Sequence, residues 1–313
     1  MSATTKRQLQ KRLVGPNKWL SLDSQLTDAE QRLMVNVHDI EYSVMPSEEA
    51  VGYAMLQELE HTAKSKTGDL VIILLGGRGA QALHRILGRE AIGTDKDWLL
   101  SRLHVFTQDA LAPLRLDNQL SFVRDFERLL GDAFFRKVKS FTCMRTDSDD
   151  LELELESYVA KLESLGGIDI FFLGLGPEAN SASHLAYIKP GSGATVGDVA
   201  GLIPISESIL EHHISKFKAG GTHVDPADES ECRAATHILT LGPAAILGAR
   251  KIVQSIVDAA TAPAKRESYS CLRKTQMSDE PGVRARQLDE NPGLWLRLHP
   301  NVKSLILSDV LTV

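Results

Sequence analysis

One apolar run limits the folds that this chain of 313 residues can adopt. The run is Leu70–Leu75, in which Val71, Ile72 and Ile73 are β-branched, and Gly76 and Gly77 end it. A continuous apolar run of this length, closed by glycine, is typical of a strand that is buried on both faces. Such strands occur in parallel sheets that carry helices on both sides.

Similar runs recur along the chain and alternate with helical patterns. Further strands are predicted at Leu103–Thr107, Ile168–Leu173, His237–Leu241 and Val302–Leu307. Ser47 predicts the start of a helix, because it can cap a first turn that contains Glu48 and Glu49. Other helices are predicted over residues 81–87, 151–162 and 246–257, and loops over 218–231 and 263–291. This alternation predicts a single three-layer α/β/α domain with a mostly parallel, Rossmann-like sheet.

Composition excludes several classes of protein. Apolar residues make up 43% of the chain and its formal net charge is −6, which together predict a folded chain rather than a disordered one. A mildly acidic surface repels phosphate backbones, so no nucleic-acid partner is expected. No membrane association is expected either, since the apolar runs are far shorter than the roughly 20 residues of a spanning helix.

The cysteines favour a reducing compartment. Cys143, Cys232 and Cys271 are odd in number and widely spaced, which argues against a disulfide framework. The cytoplasm is therefore the default localisation. No cysteine has a neighbour at zinc-ligand spacing and no cofactor motif is present, so neither a metal nor a cofactor is expected. The oligomeric state is left open, and a homo-oligomer is among the arrangements that the sequence allows.

Ligands of doubly wound sheets bind beyond the carboxyl ends of the strands. At the end of the first strand, Gly76 and Gly77 allow backbone N–H groups to approach an anion, and the following helix dipole adds to the attraction. Arg78 can clamp a phosphate with two parallel hydrogen bonds. A tight turn with a surface arginine is an equal alternative.

A carboxylate follows the second strand. Asp109 is well placed for proton abstraction, because partial burial raises the pKa of a carboxyl group toward neutrality. The alternative is an ordinary loop acid, which is the more common role of an isolated aspartate.

The loop after the third strand is rich in polar side chains. Glu178, Asn180 and His184 can move protons or bind hydroxyl groups, although a lone histidine is more often structural. Lys265, after the fourth strand, is a phosphate ligand or a cation near a helix end. His212 and His213 suggest a metal site weakly, because adjacent histidines on a helix diverge.

The order of these motifs resembles that of the glucosamine-6-phosphate deaminase and 6-phosphogluconolactonase superfamily. The family's Ser/Thr-Gly-Gly-Ser/Thr turn is similar to the Gly76-Gly77 turn, and its Asp-Glu pair to Asp109-Ala110. The remaining similar segments are Gly174–Gly176, His184–Ser192, Leu239–Gly242 and Leu296–Val302. The resemblance implies a domain of this family over residues 44–313, preceded by an N-terminal extension at residues 1–43. A solvated basic tail is the expected form of that extension.

The resemblance also implies roles for individual residues. The Gly76-Gly77 turn and Lys265 would hold the phosphate of a phosphorylated small-molecule substrate. Asp109 would move a proton between C2 and C1 of an open-chain sugar, and His184 would help to open the pyranose ring. In the lactonase branch, the corresponding histidine instead assists the attack of water on the lactone.

The chain departs from the family pattern at several of these positions. The turn lacks both hydroxyl residues, and Ala110 replaces the family's glutamate. An alignment without a gap puts Glu178-Ala179-Asn180 in place of Asp-Gly-His, whereas an alignment with a gap retains His184 but puts Lys189 in place of another glutamate. The arginine of the deaminases that contacts phosphate falls near Ile209-Leu210, so it is absent.

Three functions therefore remain open. The first is a divergent isomerase or deaminase that uses Asp109 for proton transfer on a phosphorylated sugar. The second is a lactonase-like hydrolase in which Glu178 or His184 activates water. The third, which the missing carboxylates suggest, is a non-catalytic protein that binds sugar phosphates.

Overall fold

The computed structural model describes residues 9–22, 36–178, 180–219, 221, 223–257, 259–260 and 262–311. The larger sheet consists of β3 (Glu41–Met45), β4 (Leu70–Leu74), β5 (Leu103–Thr107), β7 (Ser140–Thr142), β8 (Ile170–Leu173), β13 (Lys251–Ile256) and β14 (Val302–Leu307). Their spatial order is β3-β14-β13-β8-β4-β5-β7. All neighbouring strands in this sheet are parallel, which confirms the predicted α/β fold.

The central strand β4 is buried on both faces, as its sequence predicts. Val71 and Ile73 pack into the apolar core on one face of the sheet. Leu70, Ile72 and Leu74 pack into the core on the other face. Successive side chains of a strand point to opposite faces, so a strand covered by helices on both sides needs an uninterrupted apolar sequence.

The described helices lie between the strands in sequence. They are α1 (Glu48–Ser65), α2 (Gln81–Glu90), α3 (Asp97–Leu100), α4 (Phe122–Lys137), α5 (Leu151–Ser164), α6 (Glu207–Ala219), α7 (Pro226–Arg233), α8 (Pro243–Leu247), α9 (Ala264–Lys274) and α10 (Pro281–Glu290). Ser47 caps α1, as predicted, and accepts a hydrogen bond of 3.1 Å from the N–H of Ala50. None of these described helices has the length and apolar character that crossing a membrane requires.

The structure corrects three segment predictions. Residues 246–257 were expected to form one helix, but α8 ends at Leu247 and β13 begins at Lys251, where it pairs with β8 and β14. The predicted loops contain α7, α9 and α10. Asp225 and Glu280 cap α7 and α10, each directly before a proline in the first turn. These are helix-start signals, and the charged residues that follow belong to solvated helix faces rather than to loops.

A second, antiparallel sheet was not predicted, and it contains the strand His237–Leu241, which the sequence had assigned to the parallel sheet. Its strands in spatial order are β1 (Leu9–Val14), β2 (Asn17–Leu22), β11 (Asp198–Pro204), β12 (His237–Leu241) and β6 (Asp109–Ala112). The β1–β2 hairpin was expected to be part of a solvated basic tail. It is instead held by the buried Asp198, which accepts hydrogen bonds from Arg12 and Ser21. Residues 1–8 and 23–35 of the proposed extension lie outside the described residues, and the division at residue 44 stays a prediction.

Candidate active site

One pocket lies where the loops leave the carboxyl ends of β4, β5 and β8. Its lining includes the turn Gly76–Gly79, Asp109, the segment Gly174–Gly176, His184 and Lys265. Residues that are far apart in sequence converge here because parallel strands end at one edge of the sheet. The sequence predicted eight site residues. Six of them line this pocket, and Glu178 and Asn180 do not.

Glycines shape the turn after β4. Gly77 has a φ of +73°, in the left-handed region that favours glycine. A Cβ atom at Gly76 would lie 2.1 Å from the ring of Phe122, so a larger residue does not fit there. The turn continues into α2, whose first N–H groups have no partner within the helix. The backbone can therefore approach an anion closely at this point.

Arg78 is held at the pocket by two neighbouring helices. Its Nη2 donates to Oε1 of Glu48 at 2.8 Å, and its Nη1 donates to the carbonyl of Ala219 at 3.4 Å. The buried Nε has no hydrogen-bond partner among the described residues. The guanidinium is thus held in place, and its buried Nε–H still lacks an acceptor among the described residues.

Helix α6 adds two basic side chains to the pocket, of which the sequence had indicated only His212, and only as a weak metal candidate. His212 and Lys216 both line the pocket and are four residues apart, so they share one face of the helix. The spacing was visible in the sequence, but nothing local shows which face of α6 meets the pocket. They lie on the same helix as Ile209-Leu210, where the deaminase resemblance indicated the loss of an arginine.

Lys265 lies in the first turn of α9 and is only 6% exposed. Its Nζ donates to the carbonyl of Val257 at 3.1 Å. An ammonium group is costly to remove from water, so this burial within the pocket is suited to an anionic ligand.

Asp109 begins β6, at the point where the chain passes from one sheet to the other. The N–H of Gln108 donates to Leu74 at 2.9 Å, and its carbonyl accepts from Leu241 at 3.1 Å, so this residue joins the two sheets. The Gln108 amide also donates to Oδ2 of Asp109.

The Asp109 carboxyl group is 2% exposed, and its Oδ1 has no partner among the described residues. Burial raises the pKa of Asp109 to about 7, against the effect of the hydrogen bond from Gln108, which lowers it. A carboxyl group that titrates near neutrality can both accept a proton and return it.

His184 is paired with Glu178. Its Nδ1 lies 3.1 Å from Oε1 of that carboxylate. The antiparallel pairing of β9 (Gly176–Pro177) with β10 (Ser183–His184) folds the intervening turn so that the two side chains meet. A Cβ atom at Gly176 would lie 1.8 Å from His184 Nε2, so glycine is required beside the ring.

The contact with Glu178 determines which ring nitrogen of His184 can act as a base. When Nδ1–H of His184 donates to Glu178, Nε2 carries the lone pair and is the nitrogen that can act as a base. Glu178 does not line the pocket itself, so its contact with the pocket is through the His184 imidazole. Glu178 thus puts a carboxylate beside the imidazole, where the gapped alignment has none at the family position.

A strained turn holds an aromatic ring against His184. Ala186 and Tyr187 have φ values of +47° and +58°, and reciprocal hydrogen bonds between Leu185 and Ile188 close the turn. The Tyr187 ring stacks on the His184 ring, with a centroid distance of 5.1 Å. Positive φ at a residue other than glycine costs about 1–3 kcal/mol, and such strain is often found at functional sites.

Asn180 is the second predicted site residue that does not line the pocket, and unlike Glu178 it has no described contact with a residue that does. It is exposed on the turn between β9 and β10, and its Oδ1 accepts a hydrogen bond of 3.4 Å from the N–H of Ala182. The gapped alignment, which retains His184, therefore agrees better with the geometry than the one that puts Asn180 in its place.

Sequence comparison finds relatives at low identity. No family model matches the chain. The glucosamine-6-phosphate deaminase of Bacillus pumilus is 23% identical over 261 residues, which cover 79% of this chain and 95% of that protein. The deaminase of Porphyromonas gingivalis is 29% identical over 109 residues, and the matched part spans only 40% of its length.

Solved structures show the same fold. A monomeric glucosamine-6-phosphate deaminase has a TM-score of 0.66 at 21% identity, over 87% of this chain and 98% of its own. The 6-phosphogluconolactonase from Trypanosoma brucei has a TM-score of 0.60 at 18% identity, with the same two coverages. Fold, motif order and sequence similarity over most of the chain agree. At this low identity, the chain resembles the superfamily that contains the glucosamine-6-phosphate deaminases and the 6-phosphogluconolactonases, and it fits a divergent member of that superfamily.

Proposed function

We propose that this protein is an enzyme that moves protons on a phosphorylated sugar, in an isomerase-like or deaminase-like reaction. The observation that carries the proposal is the position of Asp109. This carboxyl group, with a pKa raised to about 7, lines the same pocket as His184 and the glycine turn. The names of the curated relatives support a sugar phosphate as the substrate class.

The phosphate group binds at the Gly76–Gly79 turn. Backbone N–H groups meet it there, and Arg78, Lys216 and Lys265 supply positive charge. This arrangement replaces the hydroxyl residues of the family turn with charged donors. It leaves the carbon skeleton to extend toward Asp109 and His184.

Asp109 and His184 then divide the proton transfers. His184 Nε2 takes the proton of the anomeric hydroxyl and returns it to the ring oxygen as the C1–O bond of the ring opens. Asp109 takes the proton from C2, which forms an enediol on a sugar or an enolamine on an amino sugar, and returns it to C1. On an amino sugar this leaves an imine at C2, to which water adds; the C2–N bond then breaks, which gives the ketone and ammonia. Glu178 stabilises the imidazolium that forms in between.

The test is the turnover of glucosamine 6-phosphate by the natural protein and by the Asp109→Asn variant. We expect the natural protein to release fructose 6-phosphate and ammonia, and the variant to bind the substrate without converting it. Equal release by both proteins, or release by neither, would exclude deaminase chemistry.

The Glu178–His184 pair favours one second candidate, a lactonase. A carboxylate-oriented imidazole activates water as readily as it moves a sugar proton. A lactonase would release protons from 6-phosphogluconolactone faster than the spontaneous reaction, lose this activity in His184→Gln and retain it in Asp109→Asn. If a phosphosugar raises the melting temperature without either turnover, the pocket is a non-catalytic binding site.

A further inference from the structure

A small internal cavity adjoins Asp109. Asp109 and His213 line both this cavity and the active-site pocket, so they form part of the wall between the two. The space that the centre of a water molecule can reach in the cavity is about 10 Å³. A volume of about this size is the least that holds one buried water molecule.

Asp109 and His213 each carry a buried polar atom that is unsatisfied. Oδ1 of Asp109 and Nδ1 of His213 are buried and have no hydrogen-bond partner in the described part of the chain. The Nε2–H of His213 donates to the carbonyl of Leu120 at 2.8 Å, which leaves Nδ1 as an acceptor. Burial lowers the pKa of His213 to about 4, so the ring is neutral at pH 7. Both unsatisfied atoms therefore need a donor.

Two residues at the same cavity carry hydroxyl groups that can donate a hydrogen bond and need an acceptor. Thr107 Oγ1 accepts from the N–H of Met144 at 3.2 Å, and Ser121 Oγ accepts from the N–H of Val123 at 3.2 Å. Each hydroxyl keeps its own proton to donate, and both residues line the cavity. A water molecule has two donors for the carboxylate and the imidazole, and two lone pairs for the hydroxyls. Four such partners make a complete site for a buried water.

We propose that one buried water molecule bridges Asp109 Oδ1 and His213 Nδ1, and that His213 is a positioning residue for the Asp109 carboxyl group. The bridge fixes the rotation of the carboxyl group, so that the oxygen facing the pocket is presented to the substrate carbon. This catalytic consequence rests on the proposed function. The water site itself does not.

Two variants of the histidine separate the bridge from the packing. The side-chain oxygen in His213→Asn takes nearly the place of Nδ1 but leaves Leu120 without its donor. The side-chain amide in His213→Gln reaches Leu120 but puts no acceptor at the position of Nδ1. If His213 only supports the packing, the Gln variant should have the higher kcat. If His213 holds the bridging water, the Asn variant should have the higher kcat.

We expect His213→Asn to retain kcat within about threefold, and His213→Gln to lose about tenfold in kcat with little change in KM. We also expect His213→Gln to melt at the higher temperature, because it keeps the bond to Leu120. A Gln variant that is as active as the natural protein, or more active than the Asn variant, overturns the positioning role.

A crystal structure of the unliganded natural protein at high resolution tests the site without reference to activity. It should show one water within about 2.7–3.2 Å of both Asp109 Oδ1 and His213 Nδ1. An empty cavity, or a direct bond between these side chains, overturns the inference even in an active enzyme. If the natural protein turns over no sugar phosphate, the proposed function is refuted. The presence or absence of the bridging water in the crystal structure then decides whether the inferred water site is correct.

Discussion

Two buried aspartates have different surroundings. Asp169 lies at the amino ends of the parallel strands, and Asp109 lies at their carboxyl ends. Asp169, directly before β8, is fully buried and accepts hydrogen bonds from Lys66 and from the N–H of Val71, and it also pairs with Arg250. Asp109, just beyond β5, is 2% exposed, and one of its oxygens has no partner among the described residues. The same chemical group is fully paired at one end and partly unpaired at the other.

The contrast separates stability from reactivity. A buried carboxylate with two cations and a backbone donor holds elements of the fold together. A buried carboxylate whose one side-chain partner is a neutral amide keeps a raised pKa, which lowers stability at neutral pH but suits proton transfer. Under the proposed function, Asp169 at the amino ends of the strands stabilises the fold, and Asp109 at the carboxyl ends takes part in the reaction.

The largest expected difference is in turnover. Asp109→Asn should lower kcat by about 10³-fold, because the proton acceptor is lost. Asp169→Asn should retain the kcat of the natural protein per folded molecule. Steady-state assays of both variants, with the folded fraction measured by circular dichroism, check this. A comparable loss of kcat in both variants would show that Asp109 has no special role in turnover compared with Asp169.

The next largest effect should be the stability of Asp169→Asn. Removing the charge weakens the hydrogen bonds that Lys66, Arg250 and the buried N–H of Val71 donate to this side chain, and we expect the free energy of unfolding to fall by about 2–3 kcal/mol. Asp69, which pairs with Lys139 on the surface, is the matched control, and Asp69→Asn should change it by less than about 1 kcal/mol. Urea unfolding of both variants measures this, and equal losses would mean that the burial of Asp169 has no special role.

Asp109→Asn should have the opposite effect on stability, and only at high pH. The folded pKa of Asp109 is about 7, raised from 3.8. Its contribution to stability is therefore complete below about pH 4 and is lost as the pH rises through 7. Relative to the natural protein, the Asn variant should gain on the order of 2–4 kcal/mol at pH 8 and almost nothing at pH 4. A gain that is equal at both pH values would show that burial does not raise this pKa.

The smallest effects should come from the basic residues of the pocket. Lys216→Ala and Lys265→Ala should each weaken the binding of a phosphosugar by about 1–3 kcal/mol, since each removes a charged hydrogen bond. Lys218 on the same helix pairs with Glu229 and does not line the pocket, so Lys218→Ala is the control. Calorimetric titration measures the three affinities, and equal values for all three would exclude α6 and α9 from the phosphate site.

The residues at the carboxyl ends of the parallel strands were the easier ones to predict from the sequence. The run Leu70–Leu75 and the glycines after it specify a strand and a turn through local chemistry alone. The first residues after a strand are brought to the sheet edge by topology, so Gly77 and Asp109 could be placed near each other before any coordinates. Lys265 follows β13, which the sequence pattern predicted as a helix, so its place in the pocket was expected only from the family resemblance. The confirmed parallel sheet follows from the same local signals.

The parts that could not be predicted depend on contacts between distant segments. The pairing of β2 with β11 joins residues about 180 positions apart, and no local pattern specifies that register. Strand β13 has the apolar residues of a buried helix as much as of a strand, and its two partner strands decide its form. The contact between Glu178 and His184 depends on a turn whose alignment with the family was ambiguous. Lys216 is a surface lysine by pattern, and only the packing of α6 brings it to the pocket.

The most direct test is a crystal structure of the Asp109→Asn variant with glucosamine 6-phosphate, since this variant should bind the substrate without consuming it. The phosphate should lie on the Gly76–Gly79 turn beside Lys265, with C1 or C2 within about 3.5 Å of the side chain at position 109 and the ring oxygen facing His184. A phosphate bound elsewhere, or a carbon skeleton directed away from position 109, would contradict the account.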